Sequence, residues 1–149
     1  MKIQDVSGFH NLIRAGTGVE RREAAGQTLS FRQELAQLSR AEAERKLTEL
    51  QQDIDRQGQA LARRCDIVEL KKYREMIAEF MYEAVRFAFS FKKQSMMDAR
   101  GRHRIYALIK RINKKLEELA AQVLQDQADA LAVMHSIDEL RGLLLDLYL

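Results

Sequence analysis

Not one of the 149 residues is proline. Proline fixes φ and offers no amide hydrogen, so it stops helices and shapes loops. A chain that uses none suits long helices joined by short turns. Glycine, the other breaker, is unevenly spread. Gly8, Gly16, Gly18 and Gly26 fall near the start, which leaves only Gly58, Gly101 and Gly142 beyond them. Residues 1–27 mix glycine with charges such as Arg21-Arg22-Glu23 and hold no sustained period. They are expected to form a flexible N-terminal arm, and residues 28–149 a single helical bundle domain. Leu, Ile, Val and Phe together make 40 residues, enough for a real core in a chain this charged.

Apolar periodicity divides the remainder into four amphipathic segments. A helical pattern begins with Phe31, Leu35 and Leu38, and Ser39-Arg40-Ala41-Glu42 then has the form of a capping box. The first helix is expected from about 40 to 63 with the seam Leu47, Leu50, Ile54 and Leu61, weakened by Gly58. Asp66-Ile67-Val68-Glu69 supplies a second box and opens a helix over about 66–95. Its stripe, Leu70, Tyr73, Ile77, Phe80, Ala84, Phe87 and Phe91, is widened by Met76, Met81, Val85, Ala88 and Phe89. So broad an arc marks a helix packed on two sides. The alternation Val85, Phe87, Phe89, Phe91 imitates a strand, but the helical period persists far beyond strand length.

Asp98-Ala99-Arg100-Gly101 reads as a turn, followed by a helix over about 102–125 with Ile105, Ile109, Ile112, Leu116, Leu119 and Val123 in heptad spacing. After Gln125-Asp126-Gln127 a last helix over about 128–147 carries Leu131, Met134, Ile137, Leu140 or Arg141, Leu144 and Leu147. Four such segments with short connections predict an all-α, up-and-down four-helix bundle.

Two stretches also carry a family pattern. Tyr73, Met76, Phe80, Glu83-Ala84-Val85 and Phe87, followed by Ile137-x-Glu139-Leu140-Arg141-Gly142-Leu143-Leu144-Leu145-Asp146-Leu147-Tyr148, resemble the YaaR-like family of small bacterial proteins. The resemblance covers roughly Phe31 to Leu149. It implies a mainly helical cytoplasmic protein of a family without an assigned activity, and it carries over no catalytic residue. Gly142 belongs to the matched pattern; a missing side chain there would let a neighbouring helix approach closely.

No apolar run approaches the roughly 20 residues a membrane span needs. The opening Met1-Lys2-Ile3-Gln4-Asp5 lacks the apolar stretch of a secretory signal. The single cysteine, Cys65, has no internal disulfide partner and fits a reducing cytoplasm. Gly16-Thr17-Gly18 lacks the Gly-Lys-Ser/Thr of a phosphate loop. His10, His103 and His135 sit in different segments without a metal-ligand spacing, although His135 could pair with Asp138 or Glu139 as a solvated contact. Glu75, Glu79 and Glu83 form a like-charge ladder, with Lys71, Lys72 and Arg86 near enough to relieve it. Neither an enzyme, a metal nor a cofactor is expected.

Charge is the exceptional feature. The net charge is only +3, with a pI near 9.1. Yet residues 92–115 hold Lys92, Lys93, Arg100, Arg102, Arg104, Lys110, Arg111, Lys114 and Lys115 against Asp98 alone, a net of +8. Residues 116–149 hold Arg141 against seven acids, a net of −6. Lys92 and Lys93 would suit the C-terminal end of a helix, but Arg102 and Arg104 near a helix start oppose its dipole. Helix stability therefore does not account for them. The nine cations form a candidate surface for an anionic partner. A solvated basic face paired with acids of the first and last helices is the plainer alternative. Together these features predict a non-enzymatic cytoplasmic interaction or regulatory module. Its expected partner is an acidic protein surface. The alternative is a nucleic-acid-binding accessory protein that uses the same cations, as the basic hairpin of the second and third helices, though no familiar nucleic-acid motif is present. A homo-oligomer in which the acidic last helix of a second copy meets the basic hairpin is a further arrangement.

Overall fold

The computed structural model describes residues 20–91 and 98–149, with side chains from Thr28 onward. Four helices account for nearly all of them: α1 (Glu20–Arg64), α2 (Ile67–Phe91), α3 (Ala99–Val123) and α4 (Ala130–Tyr148). No strand occurs among the described residues. The all-α expectation holds.

The start of α1 departs from the sequence reading. The helix runs unbroken through Ser39-Arg40-Ala41-Glu42, so that segment caps nothing. A capping box marks a helix start only where the preceding residues leave helical geometry. Here helix formers such as Glu34, Leu35, Ala36 and Gln37 precede the box, and no glycine intervenes between Gly26 and Gly58. Of the expected N-terminal arm, residues 1–19 lie outside the described residues, while residues 20–27 have helical backbone. Two compact units divide at Ala41/Glu42. In the first, every residue from Thr28 to Ala41 is exposed, including Leu29, Phe31, Leu35 and Leu38.

The second unit, Glu42–Leu149, contains the core. Paired contacts give the helix directions. Gln57 meets Glu69 and Lys46 meets Glu83, so α1 and α2 are antiparallel. Gln122 meets Ser136 and Lys115 meets Glu139, so α3 and α4 are antiparallel too. Asp55 meets Arg141 at 3.5 Å and Gly58 lies against Ile137, so α1 and α4 are antiparallel as well and the arrangement is up-and-down. From α1, Leu47, Ile54 and Leu61 point inward at seven-residue intervals, with Leu50 half-buried. Leu70, Tyr73, Ile77, Phe80, Ala84, Phe87 and Ala88 of α2 are buried, as the wide stripe predicts; Phe89 is exposed. Leu108, Ile112, Leu116, Leu119 and Val123 face the core from α3. Phe87 packs on Phe91 and Tyr148 with ring centroids 5.3 and 5.8 Å apart.

The α4 seam is rotated from its expected position. Val133, Ser136, Leu140, Leu144 and Leu147 are buried, whereas Leu131 and Met134 are exposed. Ser136 escapes a hydrophobicity count, yet its hydroxyl donates to Gln122 Oε1 at 2.8 Å and so enters the core satisfied.

Aspartate side chains cap the starts of α2, α3 and α4. Cys65 and Asp66 alone separate α1 from α2. Asp66 Oδ1 accepts the Glu69 amide at 2.8 Å, as the second capping box predicts. The Glu69 side chain turns instead toward α1. Asp98 caps α3 by accepting from the Gly101 amide at 2.9 Å, and Asp129 caps α4 by accepting from Leu131 at 3.0 Å. The segment 98–101 is therefore a helix start rather than a turn. Cys65 has φ of +49°, the left-handed geometry that usually closes a helix with glycine. Cys65→Gly should raise the unfolding free energy by about 1 kcal/mol, because a Cβ there costs on that order. Urea unfolding checks this, and a loss of stability would mean that the half-buried thiol contributes more than its backbone strain removes.

Gly58 and Gly142 have opposite roles. A Cβ on Gly58 would lie 3.0 Å from Ile137 Cγ2 and 3.4 Å from the Tyr73 ring, so α1, α2 and α4 meet at this missing side chain. A Cβ on Gly142 would meet nothing within 4 Å. The close approach expected at Gly142 is found at Gly58.

Beside Gly58, Tyr73 is almost fully buried and its hydroxyl has no hydrogen-bond partner among the described residues. Burial raises its pKa well above that of an ordinary phenol, and the nearby Asp55 and Asp138 charges raise it further. An unsatisfied buried hydroxyl costs about 1–3 kcal/mol. Tyr73→Phe should therefore unfold at higher denaturant concentration, with a gain of about 1 kcal/mol. A decrease would reveal a partner for the hydroxyl in solution.

Candidate interaction surface

The basic run falls mainly on α3, and the helix sorts its members by direction. Lys92 and Lys93 lie outside the described residues. Successive residues of a helix turn by about 100°. Arg100, Arg104 and Arg111 therefore share one flank. Continued through Ala107 and Lys114, this row repeats at steps of four and three over about 21 Å. All five residues are exposed. None of the four cations in the row forms an ion pair with a described carboxylate. Arg102, two residues from both Arg100 and Arg104, projects about 160° away from them. Tyr106 and Lys110 continue from it at steps of four, drifting back until Lys110 lies one turn from Lys114; the Lys110 ammonium lies 5.7 Å from the Tyr106 ring centre.

Lys115 is committed elsewhere. It reaches Glu118 on its own helix at 3.1 Å and Glu139 on α4. The hydrogen bond from Lys115 is the main cause holding the Glu139 carboxyl below its usual pKa, and Glu139 in turn raises that of Lys115. His135 Nε2 also meets Glu139 Oε1 at 2.7 Å, the exposed i, i+4 contact that the sequence suggests. The seven described candidates thus separate into a row of Arg100, Arg104, Arg111 and Lys114, a neighbouring pair of Arg102 and Lys110, and one bridge between helices at Lys115. Asp98 bounds the row at the helix start and Glu118 at its far end.

Sequence reasoning missed two features of this unit. Glu69 is a buried carboxylate whose Oε2 accepts from Gln57 Nε2 at 2.6 Å and whose Oε1 lies 3.3 Å from Arg64. Its place in the capping box was the only signal. The acidic ladder is relieved by Lys46, which reaches Glu83 from α1 at 3.0 Å, rather than by Lys71 or Lys72. Arg86 instead lies over the Tyr82 ring. Among the described residues no group of three or more His, Cys, Asp or Glu is placed to hold a metal ion. None of the described helices is long and apolar enough to cross a membrane.

Four antiparallel helices with an unpaired cationic row on one of them define the class: an all-α bundle with a charged exposed flank. Residues 5–148 match the family model described as Protein of unknown function (DUF327), and the chain belongs to that family. It is 28% identical over 121 residues to the Uncharacterized protein YaaR of Bacillus subtilis (strain 168), covering 81% of this chain and 83% of that protein. The crystal structure of the uncharacterized protein BH1478 from Bacillus halodurans is similar, with a TM-score of 0.71 and 30% identity, covering 78% of this chain and 96% of that one. Moevan, a designed granulopoietic protein made by topological rescaffolding, superimposes with a TM-score of 0.66 at 27% identity over 74% of this chain and 94% of its own. The YaaR-like resemblance read from α2 and α4 is thereby shown.

Proposed function

We propose that the chain is a non-enzymatic cytoplasmic interaction or regulatory module whose cationic α3 row engages an acidic protein surface. The observation that carries this reading is the alignment of Arg100, Arg104 and Arg111 on one exposed flank without ion-pair partners among the described residues. Cations near the N-terminal end of a helix oppose its dipole, so the helix itself gains nothing from Arg100 and Arg104. An acidic surface would gain from all three, chiefly in association rate and orientation. The single cysteine and the family resemblance support the cytoplasmic assignment.

Affinity purification from the source cell, with nuclease added, tests the proposal. Reversing Arg100, Arg104 and Arg111 to glutamate should abolish partner capture while helix content stays unchanged. Capture lost on nuclease treatment, with a steep fall of affinity between low and moderate salt, would transfer the assignment to nucleic acid. Retention of every partner by the triple variant would remove the row from the function.

A further inference from the structure

We infer that a second surface, the groove between the start of α2 and the end of α3, takes an apolar peptide segment flanked by carboxylates. Ile67, Leu70, Lys71, Arg74, Glu75, Ala120 and Leu124 line this groove of about 400 Å³. Leu70 is buried and forms part of its floor, while Ile67 and Leu124 are 61% and 60% exposed at its walls. Large apolar side chains this exposed around one concave surface are a docking signature. Charge selects the occupant. Lys71 and Arg74 are exposed and form no ion pair with a described residue, and Glu75 is the one carboxylate of the lining. The excess of positive charge disfavours a basic segment and suits one whose apolar side chains sit beside Asp or Glu. Ile67 to Glu75 spans about 12 Å of helix, room for two apolar side chains one turn apart. This surface lies on the α2 side of α3 and does not depend on the Arg100–Arg111 row.

The test uses the full chain, isotopically labelled, and a synthetic peptide of about three helical turns. The peptide carries two leucines at i and i+4 flanked by glutamates; its control carries lysines instead. The glutamate peptide should shift the amide signals of Ile67–Glu75 and Ala120–Leu124, with a midpoint about tenfold lower than the lysine peptide. Lys71→Glu with Arg74→Glu should reverse that preference, Leu124→Ser should weaken binding of both peptides, and Glu75→Gln should tighten the glutamate peptide. All four positions are exposed, so an unchanged circular dichroism spectrum keeps each variant interpretable. Equal binding of the two peptides, or a dispersed spectrum in which these amides never move, would overturn the assignment. So would the same shifts produced by adding unlabelled protein alone, which would make a second copy the occupant.

Discussion

Gly58→Leu should lower the unfolding free energy by about 2–3 kcal/mol, although leucine is by far the better helix former. The new Cβ would begin 3.0 Å from Ile137 Cγ2, with the Tyr73 ring 3.4 Å away, so the rest of the side chain has to separate α1 from α4 or displace the tyrosine. Overpacking of this kind outweighs the gain in propensity of about 1 kcal/mol. Gly142→Ala supplies the internal contrast. Its Cβ meets nothing, so the propensity gain stands alone and stability should rise by about 1 kcal/mol. Urea unfolding of the two variants beside the parent reads both signs. A Gly58→Leu protein as stable as the parent would mean that the three helices do not approach as closely as the structure has them.

Glu69→Ala should cost about 2 kcal/mol, more than any exposed carboxylate of the bundle. The side chain is nearly buried and gathers Gln57 and Arg64 of α1 onto the first turn of α2. Removing it leaves a cavity and takes from the Gln57 amide the shorter of its two contacts with Glu69, at 2.6 Å; the other, to the Glu69 carbonyl, is 3.1 Å. Glu69→Gln should recover part of the loss by keeping the shape and an acceptor oxygen. Thermal unfolding of the pair checks the order, and equal stability of the alanine variant and the parent would show that the buried contacts add nothing net.

Most of the bundle is legible in the sequence because its long helices repeat their apolar period for many turns. The seams of α1 and α2 and the antiparallel order follow from that repetition. The failures share a cause: they occur where a residue's meaning depends on what lies across from it. Ser39 and Glu42 satisfy a capping pattern that only the continuity of α1 annuls. Gly58 and Gly142 are identical as letters, and only the position of Ile137 separates a tight contact from open space. Ser136 is core because Gln122 is present to accept its hydrogen bond. In the same way, the charge count found the basic run but not its division, since Arg102 and Arg104 are adjacent in composition and opposite on the helix.

That division gives the most direct test of the account. Arg104→Glu with Arg111→Glu, and Arg102→Glu with Lys110→Glu, change the net charge equally at positions whose mean directions on α3 differ by about 150°. Affinity purification with each double variant, nuclease present throughout, measures how much partner is retained. If the unpaired row is the contact, the Arg104/Arg111 pair loses the partner and the Arg102/Lys110 pair keeps it. Equal loss by both would reduce the effect to bulk charge, and full retention by the Arg104/Arg111 pair would contradict the assignment of the row.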